Sequence, residues 1–359
     1  MKQDILIVGG GVAGLSAAAR LAPHAAVTLL EAESATGYHT SGRSAALFEE
    51  QYGQPTTVAL NKASREFMET HDGGFLSPRG FMLVGQAGED AAFDADVKTM
   101  QLDEITAEQA LEIIPILKPE AVTRFAHATG AQDIDTDLLM QSYTKMARSH
   151  GARFIMNARV ETISRADDRW HIQAGGEVYS ADIIVNAAGA WASQIAQMAG
   201  AQDIHIQPLR RSVARIPAPG GLDVSTWPIL FGPGENWYAK PDAGALIISP
   251  ADEDPMEPHD AWADDMVLAE GIALYQEVVT EEVTRVISNW AGLRSFSPDR
   301  NLVIGFDTQA PTFFWCAGQG GYGMQSSPAA SQLVADLITG HTPEMDVDVI
   351  AKLSPARFE

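Results

Sequence analysis

Three glycines and one carboxylate carry the first recognisable chemistry in the chain. Gly9, Gly11 and Gly14 have the spacing G-x-G-x-x-G, and Glu31 follows roughly 20 residues on. Gly9 allows a tight turn, Gly11 lets a pyrophosphate approach the backbone, and Gly14 lets a helix pack closely on a strand. A helix N-terminus behind them offers free amide donors and a partial positive charge to phosphates. A carboxylate at Glu31 suits the hydroxyls of a ribose, and it would repel a 2′-phosphate. Further on, Arg43 is flanked by Ser41, Gly42 and Ser44, a setting suited to a pyrophosphate. Gly189 closes Asn186-Ala187-Ala188-Gly189, a second point where backbone can come close to a cofactor. These residues predict a dinucleotide, FAD or NAD.

Each group needs elements to hold it. Ile5-Leu6-Ile7-Val8 is an unbroken aliphatic run, as in a strand buried on both faces of a parallel sheet. A helical pattern with Val12, Leu15 and Ala19 follows, then a strand at Ala26-Val27-Thr28-Leu29-Leu30. That strand–glycine turn–helix–strand context outweighs the alternative of a plain glycine turn. Residues 34–46 read as a loop entering a helix at about Ser44. Helices are predicted over 58–68, 87–97, 106–114 (with Thr106 as cap) and 138–149, the last with acidic caps rather than a metal site. Strands are predicted at 81–84, 153–156, 158–163, 170–174 and 181–186, with a Gly175-Gly176 hairpin leading into 177–180. The middle third predicts an antiparallel sheet from 208–219, 227–230, 236–240 and 245–249, followed by a helix over 264–278. Strands at 301–305 and 312–317 and a helix from about Ser327 to Ile338 complete the chain.

Composition bounds the rest. At 359 residues two intimately connected domains are expected. Acidic residues number 47 against 24 basic ones, a formal charge of −23, which excludes nucleic acid and anionic membrane surfaces as partners. The single cysteine, Cys316, lies in an apolar run and reads as a buried thiol. The nine histidines show no metal-ligand spacing. No apolar run is long enough to span a bilayer, and the fold begins within four residues, so a cytoplasmic location is expected.

With these motifs in order, the chain resembles the D-amino-acid oxidase/dehydrogenase superfamily of FAD enzymes, which includes glycine oxidase and monomeric sarcosine oxidase. Within it the chain is most similar to the D-arginine dehydrogenase type. The resemblance rests on the N-terminal fingerprint, Gly37-Tyr38-His39-Thr40-Ser41-Gly42-Arg43-Ser44-Ala45-Ala46, Asn186-Ala187-Ala188-Gly189-Ala190-Trp191, Arg210-Arg211-Ser212, Lys240-Pro241-Asp242-Ala243-Gly244, Trp290-Ala291-Gly292-Leu293-Arg294-Ser295-Phe296 and Gln319-Gly320-Gly321-Tyr322-Gly323-Met324-Gln325.

It implies an α/β fold with a Rossmann-like FAD domain (1–75, 145–207 and 290–359) and an α+β substrate domain on an antiparallel sheet (76–144 and 208–289). Cofactor contacts are implied at Gly9, Gly11, Val12, Ala13, Gly14, Glu31, Ala32, Ser41, Gly42, Arg43, Ser44, Ala45, Val160, Ala188, Gly189, Trp191, Gly320, Gly321, Tyr322, Gly323, Met324 and Gln325. The implied reaction is oxidation of a D-amino acid by hydride transfer from the α-carbon to flavin, with the imino acid leaving to hydrolyse. Arg211 and Arg294 match cations that clamp the substrate carboxylate, a bidentate task. Tyr52 and Tyr238 match active-site phenols. Gly321 matches a carbonyl that receives the amine, and Gln325 a neighbour of flavin and substrate. No strong base is required.

Three departures bear on specificity. Phe81 stands where the arginine enzyme has a glutamate for its cationic substrate, and Leu47 and Glu49 replace a histidine and a threonine of its lid. The missing carboxylate removes the partner a buried cation needs, so a neutral, apolar side chain is expected. Glu49 or Glu50 would restore some preference for basic substrates. Gly292-Leu293-Arg294 stands where sarcosine oxidase carries its flavin-linking cysteine, so FAD is expected to be non-covalent. An oxidase of glycine, sarcosine or another secondary amine is the nearest alternative, and a flavin-binding protein without turnover is another. Oxygen and a quinone-type electron acceptor are both left open.

Overall fold

The structure, a computed structural model, describes residues 3–359. The strand Asp4–Val8 sits inside a six-stranded sheet, between Ala26–Leu30 and Ile183–Asn186, both parallel to it. Arg153–Ile155 and Phe313–Ala317 extend the parallel order outward, and Val303–Phe306 closes one edge antiparallel. Period-two alternation explains the uninterrupted apolar run. Ile5 and Ile7 face one core with Leu15, Leu29 and Leu333, while Leu6 and Val8 face a second with Ile172, Ile184 and Trp315. The first core is covered by the helices Val12–Leu21, Thr136–Ser149 and Gly323–Thr339. The second is covered by a three-stranded hairpin sheet, Val160–Ala166, Arg169–Ala174 and Glu177–Ala181. Each fully buried aliphatic side chain there contributes about 1.5–3 kcal/mol.

A second sheet has eight strands, in the order Ser288–Phe296, Gln207–Pro217, Ala245–Ser249, Tyr238–Asp242, Ile229–Phe231, Phe81–Gln86, Val122–Ala128 and Asp103–Ile105. The helix Asp265–Val278 packs on one face, its first turn capped by Asp264, which accepts from Met266 and Val267. The sheet is not purely antiparallel as expected: Ile229–Phe231 and Phe81–Gln86 run parallel. Two distant chain segments meet at that seam, so no hairpin dictates their direction. A small sheet of Leu47–Phe48, Gln132–Ile134 and Leu76–Pro78 joins the two halves.

Several boundaries differ from the sequence reading. The strand Ser288–Phe296 pairs with Gln207–Pro217 in the second sheet, so residues 290–296 do not belong with the flavin part. The division at 144/145 cuts the helix Thr136–Ser149, which buries Leu139, Tyr143 and Ala147 in the first core. Instead of a helix near Ser44 there is a 3-10 turn, Thr40–Arg43, and the short strand Leu47–Phe48. The helix over 87–97 is Asp90–Met100, and 181–186 divides into the end of one strand and the start of another. The last long helix begins at Gly323, four residues before Ser327. Pro328 suggests a helix start because a first-turn proline loses no hydrogen bond. Here it lies inside, and the carbonyl of Met324, left without its usual N–H, accepts from the Ser327 hydroxyl at 2.9 Å. Among the described residues no helix is long and apolar enough to cross a membrane.

Candidate active site

The glycine turn is shaped as its spacing requires. Gly9 has φ +106°, and a Cβ there would lie 2.4 Å from the Ala187 carbonyl oxygen. A Cβ on Gly14 would lie 1.9 Å from the Gly9 carbonyl oxygen, so only glycine lets helix and strand approach. Gly11 begins the helix without a side-chain cap, and the Val12 N–H donates to Ser41 Oγ at 2.9 Å. Glu31 is buried and accepts from the N–H groups of Gly10 (2.7 Å) and Glu33 (2.9 Å), which fixes its carboxylate at the cleft wall.

The cleft beside it is lined by Gly9, Gly11, Glu31, Ala32, Ser41, Val160, Ala188, Gly189 and Trp191, as expected. His39 also lines it and escaped the sequence reading. Its Nε2 lies 3.1 Å from Glu33 and its ring sits 4.7 Å from that of Trp191. The cradle that a Cβ would fill and the amide-held carboxylate fit the adenosine and pyrophosphate end of FAD.

The cleft continues past Gly11, Val12 and Ala13 to Ser44, Ala45, Gly320, Gly321, Gly323 and Met324. Gly320 has φ +52°, and a Cβ there would come within 2.3 Å of the Phe296 ring. Arg43 borders this cleft, but its guanidinium is committed elsewhere. It donates to the carbonyls of Ala261 and Ala291, both at 2.9 Å, and pairs with Asp260 at 2.5 Å. It fastens the loop to the second sheet, so its expected pyrophosphate contact is not what this geometry provides. Thr40 does similar work, donating to the Leu293 carbonyl and accepting from its N–H. Gly42 borders neither cleft; a Cβ there would meet the Gly37 carbonyl oxygen at 2.3 Å.

Tyr322 faces outward, its ring 5.3 Å from that of Tyr52 at the rim of an outer vestibule, away from the flavin cleft. Gln325 is buried, and its Oε1 accepts from the Glu49 N–H at 3.0 Å while its Nε2 reaches the Tyr52 carbonyl at 3.5 Å. Its amide ties down the segment 49–52, the lid segment, and Gln325 also lines the cavity described next.

Beyond the flavin end lies a cavity shared by Arg211, Arg294, Tyr52, Tyr238, Gly321, Leu47, Glu49 and Phe81, so the expected substrate residues converge. Arg211 lies opposite Gly292 across two antiparallel strands, and Arg294 is two residues further on, which places both guanidinium groups on one face. Arg211 is braced by the Asp252 carbonyl (3.0 Å) and Glu253 (3.2 Å). Burial, and then Arg294 itself, lower its pKa.

The Arg294 guanidinium has no hydrogen-bond or ion-pair partner among the described residues, although its backbone is paired in the sheet. Burial alone would lower its pKa, but Tyr52, Tyr238, Glu235 and Glu253 turn the balance upward. Gly321 lies against this guanidinium: a Cβ there would be 3.1 Å from Nη1.

Met100, Ile229, Phe231 and Trp237 complete the apolar wall, with Phe81 and Phe231 edge to face at 5.6 Å. Glu49 faces the cavity, and burial raises its pKa. Glu50 does not: Arg65 takes its carboxylate, which removes it as a partner for a basic substrate. Glu235 was not anticipated. It sits in a Pro-Gly-Glu turn and accepts from the Tyr52 hydroxyl at 2.7 Å. Nothing in its local sequence marks it beyond its position three residues before Tyr238. Cys316 is buried in the first core, which pushes its thiol up to about 12.

Comparison with known proteins places this geometry. The family model of FAD dependent oxidoreductases (DAO) matches residues 4–337. The chain is 25% identical to FAD-dependent oxidoreductase domain-containing protein 1 of Bos taurus, over 95% of this chain and 82% of that protein. Its fold superposes on L-proline dehydrogenase from P. horikoshii with a TM-score of 0.83 at 22% identity, covering 99% of this chain and 98% of that one. It superposes equally on glycine oxidase from Geobacillus kaustophilus, TM-score 0.83 at 21% identity, covering 98% of each. A family match over nearly the whole chain, joined to a cleft shaped for the cofactor, leads to one conclusion: the chain belongs to the FAD-dependent oxidoreductase (DAO) family.

Proposed function

We propose that the protein oxidises α-amino acids of D configuration with neutral, apolar side chains, giving the imino acid, which hydrolyses to the 2-oxo acid and ammonia. Bound FAD supplies the hydride acceptor. Arg294, with Arg211 beside it, receives the substrate carboxylate; the Tyr238 hydroxyl and the Gly321 carbonyl align the α-carbon and amine. Leu47, Phe81, Met100, Ile229 and Phe231 surround the side chain and exclude water from it.

The observation that carries this reading is Arg294: a cation facing a cavity with no partner of its own beside an apolar wall. An unpaired guanidinium in such a place is costly unless an anion completes it. The apolar wall supports a neutral side chain, and the D configuration rests on the resemblance of the 37–46 segment and the paired arginines. FAD is held without a thioether, since Cys316, the single cysteine, is buried in the core.

Anaerobic mixing of the purified flavoprotein with D-amino acids, L-amino acids, glycine, sarcosine and L-proline tests the proposal through flavin absorbance. Bleaching by D-amino acids, fastest with apolar ones, is the expected result. Bleaching by glycine, sarcosine or L-proline alone would assign the site to small or secondary amines. Bleaching by nothing in the panel would leave a flavin-binding protein without turnover.

A further inference from the structure

An amino acid reaches the cavity as a zwitterion, yet a hydride can leave its α-carbon only when the nitrogen has a lone pair to form the new C=N bond. For the zwitterion, which predominates at neutral pH, one proton must therefore leave the ammonium before the hydride does. Arg211 and Arg294 are cations and cannot take it. The carboxylates on the cavity wall are Glu49 and Glu235. Glu49 lies on the lid and already accepts from the Gln51 N–H at 3.2 Å. Glu235 accepts from the Tyr52 hydroxyl at 2.7 Å, and both line the cavity with Arg294, Tyr238 and Gly321.

We infer, on the amino-acid reading above, that Glu235 takes the proton of the substrate ammonium through the Tyr52 hydroxyl. The phenolic oxygen accepts a proton from the ammonium while its own proton passes to Glu235 Oε2. The N–H bond breaks, its electron pair stays on nitrogen, and the carboxylate becomes a carboxylic acid. No oxidant is involved in this step.

The setting of Glu235 supports the role. It adopts φ +54°, a conformation that non-glycine residues rarely hold without compensation, and the turn is pinned where the Gly234 N–H donates to Asp96 at 2.7 Å. The charged and titratable groups around it are Tyr52 and Glu49 from the segment 49–52, Asp96 from the helix Asp90–Met100, Arg211, Tyr238 and Arg294 from the second sheet, Glu253 and Arg300 from loops beside it, and Tyr322 before the last long helix. Burial raises its proton affinity; the Tyr52 hydrogen bond and the two arginines oppose that, and Asp96 adds to it. A substrate carboxylate neutralises Arg294 and so removes part of the cationic restraint.

The alternative is a latch, in which Glu235 only holds the Tyr52 lid closed. E235Q separates the two because the amide still accepts the Tyr52 hydrogen bond but cannot take a proton. Stopped-flow flavin reduction by the best substrate should fall about 10²-fold at pH 7 in E235Q. The loss should shrink as pH rises toward the pKa of the free amine. A second readout uses 2-aminoisobutyrate, which has no α-hydrogen, in weak buffer with a pH indicator. Wild type should bind it with no proton released, and E235Q should release one proton per molecule bound. Acetate, a carboxylate without an amine, should bind E235Q at least as tightly as wild type, since one negative charge near Arg294 is gone.

An unchanged pH curve in E235Q, an equal loss at every pH, or weakened acetate binding would each overturn the assignment. If no amino acid reduces the wild type, the amino-acid reading falls and takes this one with it. If wild type is reduced and E235Q follows the same curve, this inference alone falls.

Discussion

Arg211 and Arg294 share a charge and a sheet face, but they are held very differently. The carbonyl of Asp252 and the carboxylate of Glu253 brace Arg211, whereas Arg294 faces the cavity unpaired. Arg294→Ala therefore removes the freer cation, and with it two charge-assisted hydrogen bonds of about 1.5–3 kcal/mol each. Steady-state kinetics should show kcat/KM reduced about 10²–10⁴-fold with FAD absorbance retained. Arg211→Ala should lose less, and full activity in Arg294→Ala would remove it from the carboxylate site. The apolar wall makes a separate prediction. Phe81→Glu places a carboxylate edge-on to Phe231, where burial is costly unless a cation pairs with it. Preference should move toward D-arginine and D-lysine by about tenfold or more relative to D-leucine, a shift of about 1.4 kcal/mol. An unchanged ratio would take Phe81 out of the side-chain pocket.

At the scale of elements, the site depends on ties between the two sheets. Asp133, on the strand Gln132–Ile134, pairs with Arg79 at 2.6 Å and with Lys240 at 2.9 Å. Lys240 also donates to the carbonyls of Ala45 and Ala46, next to the flavin end of the cleft. Lys240→Met should cost about 1–3 kcal/mol of stability, because it removes one of the two cations that hold the partly buried Asp133 carboxylate. Urea unfolding measures this, and a midpoint within error of wild type would show the tie to be dispensable.

At the C-terminus, Arg357 reaches back to Asp299. Burial would raise the Asp299 pKa, but Arg357, Ser297 and Asn301 outweigh it and hold the carboxyl well below the usual range. A depressed folded value stabilises at pH above the unfolded value, about 3.9, and that stability is lost as pH falls below it. Thermal midpoints of wild type and Arg357→Ala should therefore differ at pH 6 and converge as pH drops below about 3.9. A gap that persists in acid would mean the tether acts through packing.

For the whole molecule the dominant feature is its charge of −23. Mutual repulsion at that density opposes compaction, and salt screens it over a Debye length of about 10 Å at 0.1 M. Raising sodium chloride from 10 mM to 0.5 M should lift the thermal midpoint by about 2 °C or more, as calorimetry can show. A midpoint that falls would mean that ion pairs such as Arg210 with Asp252 matter more than net repulsion.

Much of this organisation is local and so was written in the sequence. The aliphatic run at 5–8, the G-x-G-x-x-G turn, the Thr106 and Asp135 caps and the hairpin at Gly175-Gly176 each depend on residues within a few positions of one another. Cofactor class followed because phosphate binding at a glycine turn is also a short-range property.

The tertiary structure decided what depends on distant partners. It joined Ser288–Phe296 to the second sheet, set one parallel seam, and began the last helix ahead of Pro328. It turned Arg43 from a candidate phosphate ligand into a tie to Ala261 and Ala291, and brought Glu235 against a tyrosine 183 residues away in the chain. Residue type and spacing state which interactions a side chain is able to make. Which one it makes is settled by the groups that the fold brings within reach, and for Arg43 and Glu235 those groups come from distant parts of the chain.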